Sequence, residues 1–369
     1  MADEAYRDEG AEDPELIAAA VALARRIQER ANQLQTPGER RQQAEFDRML
    51  QHPADKATLV QMTDQTFRSK AARRSAEQLT HILDVQGVPR FFSPIDRTLL
   101  RGFQSFGTYL PGVAMPLVKE KMKEETANVV LPAEPELIAA HLRARREEGV
   151  RMNVNFLGEA ILGELEAERR LEAYLAALQN PEIEVMSVKI STIFSQISTL
   201  ARESTVSRLC DRFELLVRAA AKQDFIRKDG TAAPKLVYLD MEEYRDLSIT
   251  VETFMQTLDR PGLEHLGAGI VLQAYIPDSF GQQRRLTEWA VRRMEGGGAP
   301  VTLRIVKGAN LEMERLEASQ HGWPQAAFQN KQSTDANYKR MLRFALVPNH
   351  ARAVQIGIAS HNLFELAYG

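Results

Sequence analysis

Disulfides, membrane spans and a basic field are all missing from this sequence of 369 residues. It holds one cysteine, Cys210, so no intrachain disulfide framework can form and a reducing compartment is expected. Cys210 lies in a helical pattern beside apolar positions, where a thiol behaves as a small buried hydrophobe rather than a nucleophile. Lysine and arginine number 47 against 50 acids, a net charge of −3, so nothing speaks for nucleic acid as a partner. No window approaches the ~18 consecutive apolar residues of a membrane helix, and the acidic start from Met1 to Glu15 is unlike a signal peptide. The expectation is a soluble, cytoplasmic protein, with peripheral contact at a membrane left open.

What is present is 44% apolar, enough for one large domain and a smaller one. Residues 1–145 read almost entirely as helix, with Pro14 to Leu34 rich in Ala, Leu and Ile at helical spacing. Paired arginines (Arg25-Arg26, Arg40-Arg41, Arg73-Arg74) are interleaved with acids, the mark of solvated helix faces. This region is expected to be a helical arm or cap without a catalytic signature. From residue 146 to 369 strands and helices alternate. The expected strands are 150–157, 183–192, 235–240, 269–275, 301–306 and 353–359, separated by helical stretches. Six such strands imply right-handed crossovers and a parallel α/β sheet. The spacing suits a (β/α)8 TIM-type barrel, whose closure needs eight strands. Either the sheet is open and doubly wound, or the chain stops before the last strands and helix of a barrel.

The strand ends carry a polar set: Asn155 and Glu159, Lys189, Asp240, Gln273 and Tyr275, Arg304 and Lys307, then Ser360, His361 and Asn362. In a parallel barrel these ends line one mouth. Each has a bland explanation taken alone. Asp240 fits an N-cap for a helix starting at Met241, Gln273 a satisfied core amide, and Lys189 a snorkelling side chain. Six ends in succession are harder to bury without a ligand, since many polar groups would be left unpaired. No paired carboxylates, no metal-type cluster and no Ser-His-Asp arrangement stand out. The set is rich in cations, which with backbone amides at Gly308 and Ala309 suit phosphate or another electron-rich group. A Schiff-base lyase using Lys189 or Lys307 is an alternative, as is a non-catalytic barrel kept as a binding module.

At these residues the sequence resembles the flavin-dependent proline dehydrogenase family, in particular the proline dehydrogenase module of bifunctional proline utilization A proteins. The ordered segments are Leu157-Gly158-Glu159-Ala160, Ser187-Val188-Lys189-Ile190-Ser191, Leu239-Asp240-Met241-Glu242-Glu243, Leu272-Gln273-Ala274-Tyr275, Arg304-Ile305-Val306-Lys307-Gly308-Ala309, Thr334-Asp335-Ala336-Asn337-Tyr338 and Ala359-Ser360-His361-Asn362. The resemblance implies a (β/α)8 barrel holding FAD and oxidising L-proline to Δ1-pyrroline-5-carboxylate. Electrons would pass to a membrane quinone, and a fused or partner pyrroline-5-carboxylate dehydrogenase would take the product. By the same resemblance Asp240 and Arg304 are catalytic, with Arg304 beside the flavin's reactive nitrogen, and Lys189 holds the substrate carboxylate. Met241, Gln273, Lys307, Gly308, Ala309, Thr334, Ser360 and His361 would bind the cofactor. Two departures stand out. Asn310-Leu311 replaces an aromatic pair of many relatives, and the family's Arg-Arg clamp belongs to a helix beyond Gly369. The piece as given is therefore expected to bind FAD poorly and turn over proline slowly or not at all.

Overall fold

The computed structural model describes residues 13–52, 71–126, 134–156 and 163–369, with a few isolated positions between them. It divides into two compact units, Gln28–Ile138 and Met1–Ile27 with Ala139–Gly369.

The smaller unit is helical throughout its described residues. Its core gathers Met62, Ala76, Leu79, Ile82, Leu83, Phe103 and Met115. Four of these repeat three or four residues apart on the helix Ala72–Gln86, which buries one stripe and leaves its charges outside. The next helix, Pro94–Phe106, begins with a proline in its first turn, and the Ser93 hydroxyl caps it by accepting from the Asp96 amide. Ile95, Leu99 and Phe106 on that helix, and Val113 and Leu117 on Pro111–Thr126, stay exposed.

The larger unit is built on six parallel strands: β1 (Asn153–Asn155), β2 (Val185–Lys189), β5 (Leu236–Asp240), β6 (Gly269–Gln273), β7 (Val301–Val306) and β8 (Val354–Ile358). Between β2 and β5 lies an antiparallel hairpin, β3 (Asp224–Ile226) with β4 (Ala232–Pro234). The six strands neighbour one another in chain order, β1-β2-β5-β6-β7-β8. A doubly wound sheet reverses direction at a switch point, and this one does not. The winding is therefore that of a barrel wall, as one of the two sequence readings expected.

Strand β7 shows why the sequence folds this way. Val301, Leu303 and Ile305 are buried, while Thr302, Arg304 and Val306 are half-buried on the other face. Side chains alternate along a strand, so the apolar set packs under helices and the polar set meets the barrel interior. Two glycines border that interior, the first of them with no room for a side chain. A Cβ on Gly269 would lie 2.4 Å from the Tyr238 ring, and one on Gly357 would touch Arg304 at 3.5 Å.

The structure refines several expected bounds. The first strand is three residues long, and the second ends at Lys189, where a short helix Ile190–Ile193 begins. The stretch after β7 expected as a long connection carries the helix Leu311–His321, and the hairpin was not anticipated. Glu159 and its segment Leu157 to Ala160 lie outside the described residues.

Candidate active site

Register sets the first contacts. Lys189 at the end of β2 pairs with Asp240 at the end of β5, and Arg304 on β7 lies between Val271 of β6 and Gly357 of β8. Arg304 reaches across the interior to Asp240, donating from Nη2 to Oδ1. Below it the Tyr238 ring lies 5.3 Å from the guanidinium carbon, a cation–π contact. Burial pushes the Tyr238 phenol up, and Arg304 pulls part of that shift back. The Arg304 Nε is buried and has no hydrogen-bond partner among the described residues.

Asp240 is buried and accepts a second hydrogen bond from the Ser187 hydroxyl at 3.0 Å. That hydroxyl in turn accepts from the Asn153 amide at 2.8 Å. The helix after β5 starts at Leu247, after a 3₁₀ turn at Tyr244–Asp246. Residues 241–243 are not helical, so Asp240 caps nothing and serves the interior instead. Gln273, also buried, donates its side-chain amide to the Glu242 carbonyl at 3.1 Å and, more weakly, to that of Met241 at 3.5 Å. This fixes the segment that carries Met241 and Glu242. The Glu242 carboxylate lies 3.8 Å from the Lys189 ammonium.

Lys307 has a different setting. Its ammonium donates to Asp335 and, at 3.1 Å, to Glu365, and it sits 5.7 Å above the Tyr338 ring. Lys331 backs Asp335 at 2.6 Å and Lys339 backs Glu365 at 3.6 Å. Burial alone would lower the Lys307 ammonium, but the two carboxylates outweigh it and the net shift is upward. A Schiff-base nucleophile needs a neutral amine, so this environment works against Lys307 in that role. The next residue, Gly308, has φ +130°, and a Cβ there would stand 1.8 Å from Cδ1 of Tyr275. The Tyr275 backbone is held in place: its N–H donates to the Lys307 carbonyl and its own carbonyl accepts from Phe328 N–H, both at 2.8 Å. Gly308 and Ala309 are exposed, leaving bare backbone beside the mouth.

The remaining expected residues bond locally. Thr334 donates to the Asn330 carbonyl at 3.4 Å within the first turn of Lys331–Ala345, a weak contact. Ser360 accepts from the Asn362 amide at 3.0 Å, and His361 is exposed. The structure therefore brings together Asp240, Arg304 and Lys189 with the segment held by Gln273. It adds Asn153, Ser187, Tyr238, Glu242, Asp335, Tyr338 and Glu365, which residue-by-residue reading did not assign. Four of these lie inside the quoted segments, where their alternation with apolar neighbours was the available signal.

A family model described as proline dehydrogenase matches residues 138–369. Proline Utilization A (PutA) from Corynebacterium freiburgense is 39% identical, with a TM-score of 0.61 over 67% of this chain and 25% of that one. PutA from Bdellovibrio bacteriovorus, in a structure inactivated by N-propargylglycine, is 23% identical, with a TM-score of 0.68 over 97% of this chain and 35% of that one. A Bradyrhizobium japonicum PutA variant is 18% identical, with a TM-score of 0.66 over 97% of this chain and 38% of that one. The last two establish likeness of fold alone. This chain thus spans from a quarter to under two-fifths of the length of these solved relatives. No curated protein sequence matches it. A model match over well more than half the residues decides the membership: the chain belongs to the proline dehydrogenase family.

Proposed function

We propose that the chain oxidises L-proline to Δ1-pyrroline-5-carboxylate with FAD bound in the barrel mouth. The observation that carries this reading is Arg304, a half-buried guanidinium held by Asp240 through Nη2, whose buried Nε has no partner among the described residues. An orphaned buried N–H is costly unless a ligand satisfies it. The other donors fit the same group. Lys307 spends two of its three N–H donors on carboxylates and keeps one, and Gly308 offers backbone where no side chain fits. These features suit an electron-rich cofactor rather than a metal, and no group of three His, Cys, Asp or Glu among the described residues is placed to hold one.

When bound, the flavin supplies the two-electron acceptor that no side chain here provides. The protein's own contribution is placement and field. Arg304 sets a fixed positive charge where negative charge accumulates during the reaction. Asp240 keeps that guanidinium in place. Lys189 meets the proline carboxylate, with Glu242 limiting its swing. Met241 and Gln273 border the ring, and Lys307, Gly308 and Ala309 line the cofactor further out. Ser360, His361 and Thr334 belong to its diphosphate and adenosine end. In this reading residues 1–145 are an arm or cap and 146–369 the catalytic barrel. The protein is cytoplasmic, and electrons leave to a quinone at the membrane surface, with which it makes peripheral contact. A fused or separate pyrroline-5-carboxylate dehydrogenase receives the product. No described helix is long and apolar enough to cross a membrane.

The test is a titration with FAD, followed by anaerobic addition of L-proline. Quenching of flavin fluorescence on binding and bleaching of its visible band by proline are expected, with both weakened in Arg304→Ala. Failure of the wild-type protein to bind flavin at saturating FAD, or to bleach with proline, removes the proposal.

A further inference from the structure

Asn153, Ser187 and Asp240 stand on three successive strands of the sheet, and their side chains form one directed row. Asn153 Nδ2 donates to Ser187 Oγ at 2.8 Å, and Ser187 Oγ donates to Asp240 Oδ1 at 3.0 Å. Arg304, which comes from the opposite side of β5 in strand order, donates to the same oxygen. The direction of the row follows from counting hydrogens. An amide nitrogen only donates, so Ser187 meets it with a lone pair and has its single hydrogen left for Asp240. Turning the Asn153 amide over would put an oxygen against Ser187 and draw that hydrogen away. Ser187 Oγ and Asp240 Oδ1 would then face each other at 3.0 Å with no hydrogen between them. Only one orientation satisfies every member.

We infer that Asn153 and Ser187 are positioning residues: they hold Asp240 from the side opposite Arg304, so that the guanidinium is anchored through Nη2 and presents its unpaired Nε to the electron-accepting group. The inference rests on the flavin reading above and adds two residues to it. Burial explains Ser187 only in part. It is 1% exposed, and an alanine would fill that place in a strand with no polar group to satisfy. The serine hydroxyl links the row, accepting from Asn153 and sending its hydrogen to Asp240. Without that hydrogen Asp240 loses the donor on the side away from Arg304, and the direction in which its carboxylate holds the guanidinium is less narrowly fixed. A donor misplaced by a fraction of an ångström loses much of its effect on developing charge.

The experiment compares wild type with Ser187→Ala, Asn153→Leu and Ser187→Thr, each saturated with FAD. Two properties are read: the flavin midpoint potential, and kcat and KM for proline with an artificial electron acceptor. Ser187→Ala is expected to lower the midpoint potential and reduce kcat roughly tenfold, with KM changed less than about twofold. Asn153→Leu, at an exposed position on the first strand, is expected to give a smaller shift in the same direction. Ser187→Thr restores the hydroxyl and should return both properties toward wild type. Wild-type potential and kcat in both Ser187→Ala and Asn153→Leu would overturn the inference while leaving the flavin reading intact. A Ser187→Ala protein that does not fold leaves Asn153→Leu to decide, since its side chain lies outside the packed core. Wild-type protein that proline does not bleach removes both readings together.

Discussion

Arg304 and Lys307 lie three residues apart on one strand end, yet their surroundings differ in kind. The guanidinium meets one carboxylate, one aromatic face and a serine-backed anchor, and keeps a buried N–H unpaired. The ammonium meets two carboxylates, each backed by a further lysine, and one aromatic face. In the proposed function the first arrangement faces the ligand. The second ties β7 to the helices Lys331–Ala345 and Leu363–Tyr368 through two of its three donors and leaves one over. Charge alone does not separate the two cations; the share of donors that structural bonds consume does.

The largest effect that sharpens this contrast is expected at Asp240. Asp240→Ala should free the guanidinium and cut the rate of flavin reduction by proline about 10² to 10³-fold, the scale of losing one preorganised electrostatic contact. Stopped-flow bleaching measures it, and a loss below about threefold would break the claim that Arg304 is anchored for catalysis.

Gly308 comes next, because it adjoins the structural cation. Gly308→Ala combines φ +130° with a Cβ 1.8 Å from the ring of Tyr275, whose backbone is bonded on both sides. Destabilisation of about 3 kcal/mol in denaturant titrations is expected, together with weaker FAD binding. Lys307→Met should cost less, about 2 kcal/mol for a partly exposed cluster, because Asp335 and Glu365 lose their shared counter-charge. The double change Lys307→Met with Glu365→Leu should recover part of that stability, since an apolar pair replaces a stranded carboxylate. If the double variant is less stable than the single one, Lys307 is not the structural half of the comparison.

Much of the barrel was legible because parallel strands buried on both faces write themselves as apolar runs. Strand β7 was read with its observed bounds, from Val301 to Val306. The helix Leu311–His321 was not read, and its burial explains why. It buries Glu314 and Ala318 while Met313 and Leu316 are exposed, so it lacks the apolar stripe that marks a helix in sequence. The hairpin β3–β4 was missed because strands of three residues, one ending in Pro234, give no alternation to count. At the site, the charged and amide residues showed themselves as misfits in apolar strands. Their partners did not, because Ser187 meets Asp240 across 53 positions and Lys307 meets Glu365 across 58. A hydroxyl in a strand or a glutamate in a terminal helix looks ordinary until the fold pairs it.

The smallest effect tests the rule from a carboxylate that has no such pairing. Asp246 is buried just after the segment carrying Met241 and Glu242, and burial pushes its carboxyl up to about 7. Arg245 pulls that value down in part, while Glu242, Glu243 and Glu317 add to the rise. The folded state therefore holds a proton that the unfolded chain releases at its ordinary value of 3.8. Stability contributed by this group is present at low pH and is lost as pH rises from about 4 through about 7. Asp246→Asn stays neutral throughout, so the variant should gain on wild type across that window, by about 1 to 2 kcal/mol at pH 8 after discounting for solvent relaxation. Thermal unfolding of both proteins at pH 5 and pH 8 measures the difference. A gain that widens with pH places Asp246 apart from the paired carboxylates Asp240 and Asp335, whereas a pH-independent difference would mean that its charge is already compensated in the fold.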